Sequence, residues 1–375
     1  MKNLKSIFLL CLAAWLNAES LSAKTVLRIV DPAATPETKA LYANLWLIQQ
    51  KGVMFGHHDY ATTGIGWVDE PGRSDVKDIV GDYPAVYSLD IREIYGVKME
   101  NLKAAYRRGG VIMLCWHQNN PLTETSNQMH GKGIPGGPWD NTKVVDQILV
   151  EGSAMNVKYK KRLDGVAEIF KTMVDDEGKP IPVIFRPLHE HTQKWNWWGS
   201  ESTTEQEFIA FWRFIVSYLR DEKGVHNLIY AISPQMDAVY KDTKARLMYR
   251  WPGNEWVDIL GMDCYHGKNR PAFESNVKAI SELSVTLNKP VAVTETGRPS
   301  DHPSNYWTYN VLPPLKGHLC SMVVLWRNSR LNHAFGPYPS DASASDFKVF
   351  YDDPYTIFER DLPDMYKMPK GIGVE

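Results

Sequence analysis

The residues of this sequence best suited to do chemistry are two glutamates that follow short apolar stretches. Glu190 ends the stretch Arg186-Pro-Leu-His-Glu190, and Glu295 ends the stretch Val291-Ala-Val-Thr-Glu295. Paired carboxylates can divide the cleavage of a glycosidic bond, because one protonates the leaving oxygen while the other attacks the sugar or directs water. A single glutamate at such a place is as often part of a structural ion pair. Two of them, each beside polar and aromatic residues, favour a catalytic pair.

Eight short apolar runs, each typical of a buried strand, must position these glutamates. They alternate with segments whose apolar residues recur at helical spacing, most clearly in Glu205–Glu222. This alternation predicts a single (β/α)8 TIM barrel, for which 375 residues is a common length. The predicted strands are Val53–His57, Ala85–Asp90, Val111–His117, Val183–His189, Leu228–Ser233, Ile259–Tyr265, Val291–Glu295 and Met322–Arg327. The predicted helices are Met99–Arg108, Val157–Asp175, Glu205–Glu222, Ala272–Leu287 and Tyr306–Lys316.

The C-terminal ends of these predicted strands carry most of the reactive side chains. In a barrel of this kind the active residues lie at those ends, and the fourth and seventh strands, which lead to Glu190 and Glu295, face each other across the mouth. The opposite ends are chemically bland, with residues such as Gly52 and Pro182. The other polar or aromatic ends hold His57, His58, Asp90, His117, Asp263, Tyr265, Trp326 and Arg327.

Tryptophans near the same ends predict a surface that binds sugars. A sugar ring presents an apolar face of C–H groups, so aromatic rings beside hydrogen-bonding groups are typical of a carbohydrate cleft. We predict ligand contact for Trp139, Trp195 and Trp326. The tryptophans predicted to pack in the core are Trp116, Trp198 and Trp212. The segment Gly131–Trp139, within an unusually long connection from Gln118 to Ala154, is predicted to wall the cleft.

Several histidines at the strand ends also leave a metal site open as an alternative. Five histidines with Asp263 could hold zinc or a pair of divalent ions. None of these histidines has the i, i+4 spacing of a helical metal motif, and neighbouring residues at a strand end point in opposite directions. We therefore predict no metal and no cofactor. The histidines concerned are His57, His58, His117, His189 and His191.

Motifs spread over most of the chain resemble glycoside hydrolase family 26, whose best-known members are β-mannanases. The block Arg186-Pro-Leu-His-Glu190 with its trailing tryptophans is the most specific of them, whereas Thr294-Glu-Thr-Gly297 alone would be weak. The remaining motifs are Phe55-Gly-His57, Trp116-His117 with Pro121, Trp195, Trp198-Gly199, Asp263-Cys-Tyr265 and Trp326-Arg-Asn328.

The resemblance implies a retaining double displacement on β-1,4-mannans, with Glu190 as acid/base and Glu295 as nucleophile. Such a pair has its carboxyl groups about 5–5.5 Å apart. His189 stands where the wider clan of barrel hydrolases usually has asparagine, and the resemblance implies that it contacts the sugar or orients the nucleophile. Tyr265 would donate a hydrogen bond to Glu295 and hold it ionised.

The resemblance also implies a set of residues that bind substrate. His117, Trp139, Trp195 and Trp326 match positions that line the subsites on either side of the cleaved bond. Arg327 matches an arginine further toward the non-reducing end, where its planar fork can bind two hydroxyls. Together with His189 and Tyr265, these make seven predicted substrate-binding residues.

Other functions remain open at this point. On the same scaffold, the chain could release mannobiose from chain ends, or act as a β-1,3-xylanase or a mixed-linkage glucanase. A non-catalytic glycan-binding protein would keep the tryptophans without needing either glutamate. A metallohydrolase would lose its activity in a chelator.

Composition and the N-terminus predict an exported protein without nucleic-acid or membrane partners. The formal net charge is −2 and the basic clusters are short, which excludes nucleic acid and anionic membranes as favoured partners. Lys2 and Lys5 precede an apolar run, Ile7–Leu16, that is typical of a signal peptide and too short to span a bilayer. We predict a signal peptide at about residues 1–23 and a catalytic domain at residues 24–375. We expect the mature protein to be a monomer in the periplasm or the medium.

Overall fold

The computed structural model describes residues 25–124, 136–266 and 269–375. The predicted signal peptide lies outside these ranges, as do residues 131–135 of the predicted cleft wall. Within the described ranges, no helix is both long enough and apolar enough to cross a membrane.

Eight parallel strands form a closed barrel, as the sequence predicts. Each strand pairs with the next along the chain, and β8 pairs with β1 from Met322 opposite Met54 to Leu325 opposite His57, which closes the sheet. A short outer strand, Thr356–Ile357, also pairs with β1. The barrel strands are β1 Val53–His58, β2 Val86–Asp90, β3 Val111–Cys115, β4 Val183–Arg186, β5 Leu228–Ile232, β6 Ile259–Cys264, β7 Val291–Thr296 and β8 Met322–Leu325.

Helices connect the strands and surround the barrel. The predicted helix Glu205–Glu222 is an α-helix to Ser217 followed by a π-helical turn, and it begins with a capping box between Thr204 and Glu207. The sequence pattern missed the first helix, Pro36–Ile48, because that helix is buried on nearly every side and shows no polar stripe. The helices are α1 Pro36–Ile48, α2 Asp75–Val80, α3 Val97–Arg107, α4 Val145–Ile148, α5 Ala154–Thr172, α6 Glu205–Ser217, α7 Thr243–Leu247, α8 Arg270–Leu287, α9 Leu312–Leu315 and α10 Ala344–Tyr351.

Alternation along the strands divides the core into an inner and an outer apolar layer. Successive side chains point to opposite faces of a strand, so Met54 points into the barrel while Val53 and Phe55 pack against the surrounding helices. Leu41 and Leu45 of α1 join the inner layer. The inner layer and α1 therefore fill the barrel away from the cleft, and they leave only the C-terminal strand ends to hold a site.

The tail after β8 packs its aromatic residues against the outside of the barrel. The rings of Phe347, Phe350 and Phe358 lie 5.3, 5.8 and 5.1 Å from the ring of Phe55 on β1. Aromatic pairs at these distances stabilise beyond the area that they bury. The tail thus supports the strand that begins the barrel.

Truncation of Phe347 to alanine is expected to lower the free energy of unfolding by about 3–5 kcal/mol, because it leaves a cavity among packed rings. Val349→Ala on the same helix is the matched control, since Val349 is 60% exposed and its loss leaves no cavity. Urea denaturation of both variants measures the difference. Equal losses of stability would contradict this account of the tail.

Candidate active site

A cleft of about 600 Å³ opens at the C-terminal ends of the barrel strands. Eight of the nine residues predicted to do chemistry or bind substrate line it; the ninth, His189, lies behind His117. The described end of the predicted cleft wall contributes Pro138 and Trp139. The eight lining residues are His117, Trp139, Glu190, Trp195, Tyr265, Glu295, Trp326 and Arg327.

Glu190 lies on a strained turn rather than at the end of a strand. The predicted strand Val183–His189 is wrong at its C-terminal end, since β4 stops at Arg186 and Pro187 has no N–H for the next ladder bond. Glu190 has φ of 54°, in the left-handed region that costs energy for residues other than glycine. Its backbone N–H donates to the Ser233 carbonyl after β5, at 2.8 Å. Strain held in place by neighbouring strands is typical of a functional position.

The loop that follows Glu190 is held from behind by a buried arginine. Arg250 is fully buried and donates to the carbonyls of His191 and Trp198 at 3.3 and 3.4 Å, and to Thr203 Oγ1 at 2.9 Å. The indole N–H of Trp198 donates to the His189 carbonyl at 2.8 Å. Trp198 is thus part of the core, as are Trp116 and Trp212, which the sequence also predicts.

Glu295 points into the cleft from an irregular position near the end of β7. The pairing of β7 with β6 shifts register between Val293 and Glu295, so that Thr294 is an extra residue on β7. Such a bulge re-aims the side chains that follow it. Glu295 Oε1 accepts from Arg186 Nη1 at 2.9 Å, and Oε2 accepts from the Tyr265 hydroxyl at 2.8 Å. The contact that the resemblance implies between Tyr265 and Glu295 is therefore present.

The two glutamates are close enough to act on one bond. One carboxylate oxygen from each of Glu190, Asp263 and Glu295 lies within 4.8 Å of the other two. This closeness fits the separation of about 5–5.5 Å found in retaining glycosidases and not the wider gap of about 6.5–9.5 Å in inverting ones.

The surroundings favour different protonation of the two glutamates. Burial raises the pKa of Glu190 well above its ordinary value, and the negative charges of Glu295 and Asp263 raise it further. Glu295 instead accepts two hydrogen bonds, one from the guanidinium of Arg186 and one from the hydroxyl of Tyr265. Burial, followed by the charge of Glu295, raises the pKa of Tyr265 as well, so that its hydroxyl stays protonated and donates. An acid and a charged carboxylate can therefore coexist here.

Arg186 links the acidic residues of the site. It is fully buried, and its Nη2 lies 2.6 Å from both carboxylate oxygens of Asp263 while its Nη1 binds Glu295. Burial lowers the pKa of Arg186, but the two carboxylates outweigh burial and raise it, so that the guanidinium stays charged. The sequence analysis did not assign Arg186 a role, although a charged residue inside an apolar strand was the available signal.

Replacement of Arg186 by methionine is expected to lower the free energy of unfolding by about 3–5 kcal/mol, because it leaves two buried carboxylates without a neutralising charge. Arg107→Met is the matched control, since Arg107 also binds one aspartate, Asp176, through two contacts of 2.8 Å but does so in solvent. The control is expected to lose far less stability than Arg186→Met, because solvent screens an exposed ion pair. Denaturant titrations at neutral pH measure the stability of both variants. Similar losses would contradict a central role for the buried contacts of Arg186 with Asp263 and Glu295.

Two clusters of the described residues have the spacing of metal ligands, and both lie in this site. The first cluster is Glu190, Asp263 and Glu295. The guanidinium of Arg186 already supplies a fixed positive charge between Asp263 and Glu295. The second cluster is Asp90, Cys115 and His117, in which Asp90 and His117 form a hydrogen bond. The absence of a metal remains a prediction.

One end of the cleft combines aromatic rings with charged groups. Trp326 stacks on His58, with ring centroids 4.2 Å apart, and Arg327 lies 3.9 Å from Glu93. His333 and Phe335 complete the wall there. No ligand contact was predicted for Glu93, His333 or Phe335, because their approach to the cleft depends on how loops from distant strands pack. His58 ends β1 and was predicted at a strand end, where a metal site was left open as an alternative.

Comparison with known proteins gives a consistent result. The sequence profile of Glycosyl hydrolase family 26 matches residues 30–358. A mannan endo-1,4-beta-mannosidase from Bifidobacterium adolescentis is 30% identical over 73% of this chain, and one from Bacillus subtilis is 28% identical over 79% of it. The chain spans only 28% of the Bifidobacterium protein but 79% of the Bacillus one.

Solved structures agree with the sequence comparisons. A GH26 β-mannanase from Bacteroides ovatus superposes with a TM-score of 0.81 and 35% identity, covering 90% of this chain and 98% of that one. A modular endo-β-1,4-mannanase from Cellulomonas fimi gives a TM-score of 0.78 and 28% identity, covering 92% of this chain and 81% of that one.

Proposed function

The chain belongs to glycosyl hydrolase family 26, and from this membership we propose that it is an endo-acting β-1,4-mannanase that works with retention of configuration. The observation that carries the proposal is the approach of Glu190 and Glu295 to within 4.8 Å in a cleft lined by tryptophans. The substrates are mannan, glucomannan and galactomannan. Relatives described as mannan endo-1,4-beta-mannosidases support this substrate class.

In the first step of the proposed mechanism, Glu295 attacks the anomeric carbon while Glu190 gives its proton to the departing oxygen. Arg186 and Tyr265 hold the nucleophile by one oxygen each, which fixes its orientation. In the second step, Glu190 takes a proton from water, and that water releases the sugar from Glu295. Formation of the ester removes the charge on Glu295 that had raised the pKa of Glu190, so that Glu190 can then act as a base.

The proposed binding residues surround this pair. The ring of His117 lies 6.1 Å from that of Trp139 and 5.7 Å from that of Trp326, and Trp195 and Arg327 line the same cleft. His189 contacts His117 through Nε2 and is not among the lining residues, so its proposed role is to support His117.

Products from a panel of β-glycans test the proposal. We expect viscosity of galactomannan to fall early relative to the release of reducing ends, and NMR to show the β-anomer formed first. Early release of mannobiose alone would favour attack at chain ends. Cleavage of β-1,3-xylan or mixed-linkage glucan in preference to mannan would favour the rival substrates, and binding without cleavage would favour a glycan-binding protein.

The pH dependence of kcat/KM is expected to have an alkaline limb set by Glu190. Activity falls as pH rises through the raised pKa of this acid, because ionised Glu190 cannot donate a proton. Asp237 is one of the negative charges that raise this pKa, so Asp237→Asn is expected to move the limb to lower pH. Asp176→Asn, at the opposite end of the barrel, is expected to leave the limb in place. A limb that does not move in Asp237→Asn would contradict the assignment.

We also propose that the chain is exported and acts as a monomer. Export rests on Lys2, Lys5 and the apolar run after them. Both glutamates and the two residues that hold Glu295 belong to this chain, so the proposed mechanism needs no second copy. Mass spectrometry of protein recovered from the periplasm and the medium, with sedimentation of the purified form, tests both points.

A further inference from the structure

Two histidines of the site face each other through the same ring atom. Nε2 of His117 lies 3.0 Å from Nε2 of His189, and the rings are nearly perpendicular. Two nitrogens at this distance share one hydrogen, so one ring donates and the other accepts. Which of the two donates decides what His117 can offer to a ligand in the cleft.

Asp90, at the end of β2, fixes the other nitrogen of His117. Its Oδ2 lies 2.7 Å from His117 Nδ1 and also accepts the backbone N–H of His117 at 3.0 Å. Its Oδ1 accepts the backbone N–H of Arg92 at 2.9 Å. Burial raises the pKa of Asp90, but the hydrogen bond from His117 and the charge of Arg92 lower it more, so that Asp90 is ionised. An ionised carboxylate only accepts, so Nδ1 of His117 must carry a hydrogen.

The surroundings of His189 settle the direction of the shared hydrogen bond. His189 is buried, and burial, followed by the charge of Arg186, lowers its pKa, so that it is neutral with one hydrogen. Its Nδ1 is buried without a hydrogen-bond partner among the described residues. Placing the single hydrogen there would strand a buried N–H and forfeit a donor, whereas placing it on Nε2 satisfies the contact with His117.

We propose that Asp90 is a positioning residue that holds His117 as the Nδ1–H tautomer, with Nε2 as a hydrogen-bond acceptor. That acceptor takes a hydrogen from His189, and with polysaccharide bound it takes one from a sugar hydroxyl. Asp90 accepts hydrogen bonds from both Nδ1 and the backbone N–H of His117, and it acts through that residue. The hydroxyl belongs to the polysaccharide, so this inference rests on the proposed function.

A second buried pair provides the control that separates this role from simple stabilisation. Asp341 Oδ2 lies 2.6 Å from Nδ1 of His302, and both side chains are buried outside the residues that line the cleft. Asp341→Asn therefore removes the same kind of contact as Asp90→Asn without touching the site. Both variants are expected to lower the melting temperature, and only Asp90→Asn is expected to lower activity.

Kinetics with mannohexaose measure how much activity Asp90→Asn loses and whether that loss acts through His117. Asp90→Asn is expected to reduce kcat/KM by about 10- to 100-fold, the loss that accompanies removal of a hydrogen bond to a charged group. Because Asp90 acts through His117, the same substitution is expected to cost nothing further in a His117→Ala background. Unchanged kcat/KM in Asp90→Asn, or an equal loss in both backgrounds, would overturn the proposal.

Nitrogen NMR of histidine-labelled wild type gives a test that does not depend on hydrolysis. His117, assigned by its loss in His117→Gln, is expected to show a protonated Nδ1 and a bare Nε2 at neutral pH. The opposite tautomer would refute the role of Asp90. If the proposed function alone is wrong, the tautomer is still found while the wild type leaves mannohexaose uncut.

Discussion

Replacement of Glu295 by alanine or glutamine is expected to abolish mannan hydrolysis, with kcat falling by more than about 10⁴-fold, because no other group can form the covalent intermediate. The two donors that hold Glu295, Arg186 and Tyr265, approach different oxygens and leave the carboxylate aimed at the cleft. Neither donor is a nucleophile, so neither can substitute for it. Glutamine keeps the shape of the side chain but loses the charge that attacks.

An added nucleophile distinguishes this loss from misfolding. In Glu295→Ala, azide has room to enter where the carboxylate was, and with an activated aryl β-mannobioside it is expected to give the α-glycosyl azide. Glu201→Gln is the matched control, since Glu201 is exposed in the loop after Glu190 and pairs only with Lys194. Activity of Glu295→Gln near that of the wild type, in a preparation free of wild-type protein, would eliminate the mechanism.

Replacement of Glu190 by alanine is expected to lower kcat on mannan by about 10²- to 10⁴-fold, the usual contribution of a general acid or base. An aryl leaving group of low pKa needs no proton, so the first step on such a substrate is expected to survive. The second step still lacks its base, and the glycosyl-enzyme is therefore expected to accumulate after a burst of aryl release. This combination of a slow natural substrate and a burst is specific to loss of the acid/base.

Stereochemistry then assigns the two roles independently. Azide is expected to relieve the slow second step in Glu190→Ala and to give the β-glycosyl azide, the anomer opposite to that from Glu295→Ala. The same anomer from both variants would contradict the assignment of roles. Glu190→Gln replaces a buried ionisable group at a strained position with a neutral side chain of the same shape, so its melting temperature at neutral pH is expected to be at least that of the wild type.

Three features of the site lower the stability of the fold: a strained backbone, a β-bulge and a buried charged group. Glu190 has a left-handed backbone, Glu295 follows a bulge, and Arg186 is buried with two carboxylates. Each feature destabilises the fold unless neighbours hold it, and the neighbours here are the ends of β5 and β6 and the buried Arg250. A rigid barrel beneath the loops makes such an arrangement tolerable.

The sequence by itself determined the barrel and predicted the two glutamates as its catalytic pair. Continuous apolar runs with helical segments between them give all eight strands, because strands covered on both faces must be apolar throughout. Glu190 and Glu295 stand out because each ends such a run, and the strand count alone places them on opposite sides of the mouth. Eight of the nine predicted site residues meet in one cleft for the same reason.

Only the tertiary structure decided how these residues contact one another. Arg186 reaches Asp263 and Glu295, which are 77 and 109 residues away, and Asp90 reaches His117 across two neighbouring strands. The tertiary structure also decided three further features: β4 stops before Pro187, a bulge forms at Thr294, and His189 lies behind His117. Hydrophobic periodicity fixes which face a side chain takes. Register, bulges and loop packing fix which distant side chain it meets, and these arise only when the barrel closes.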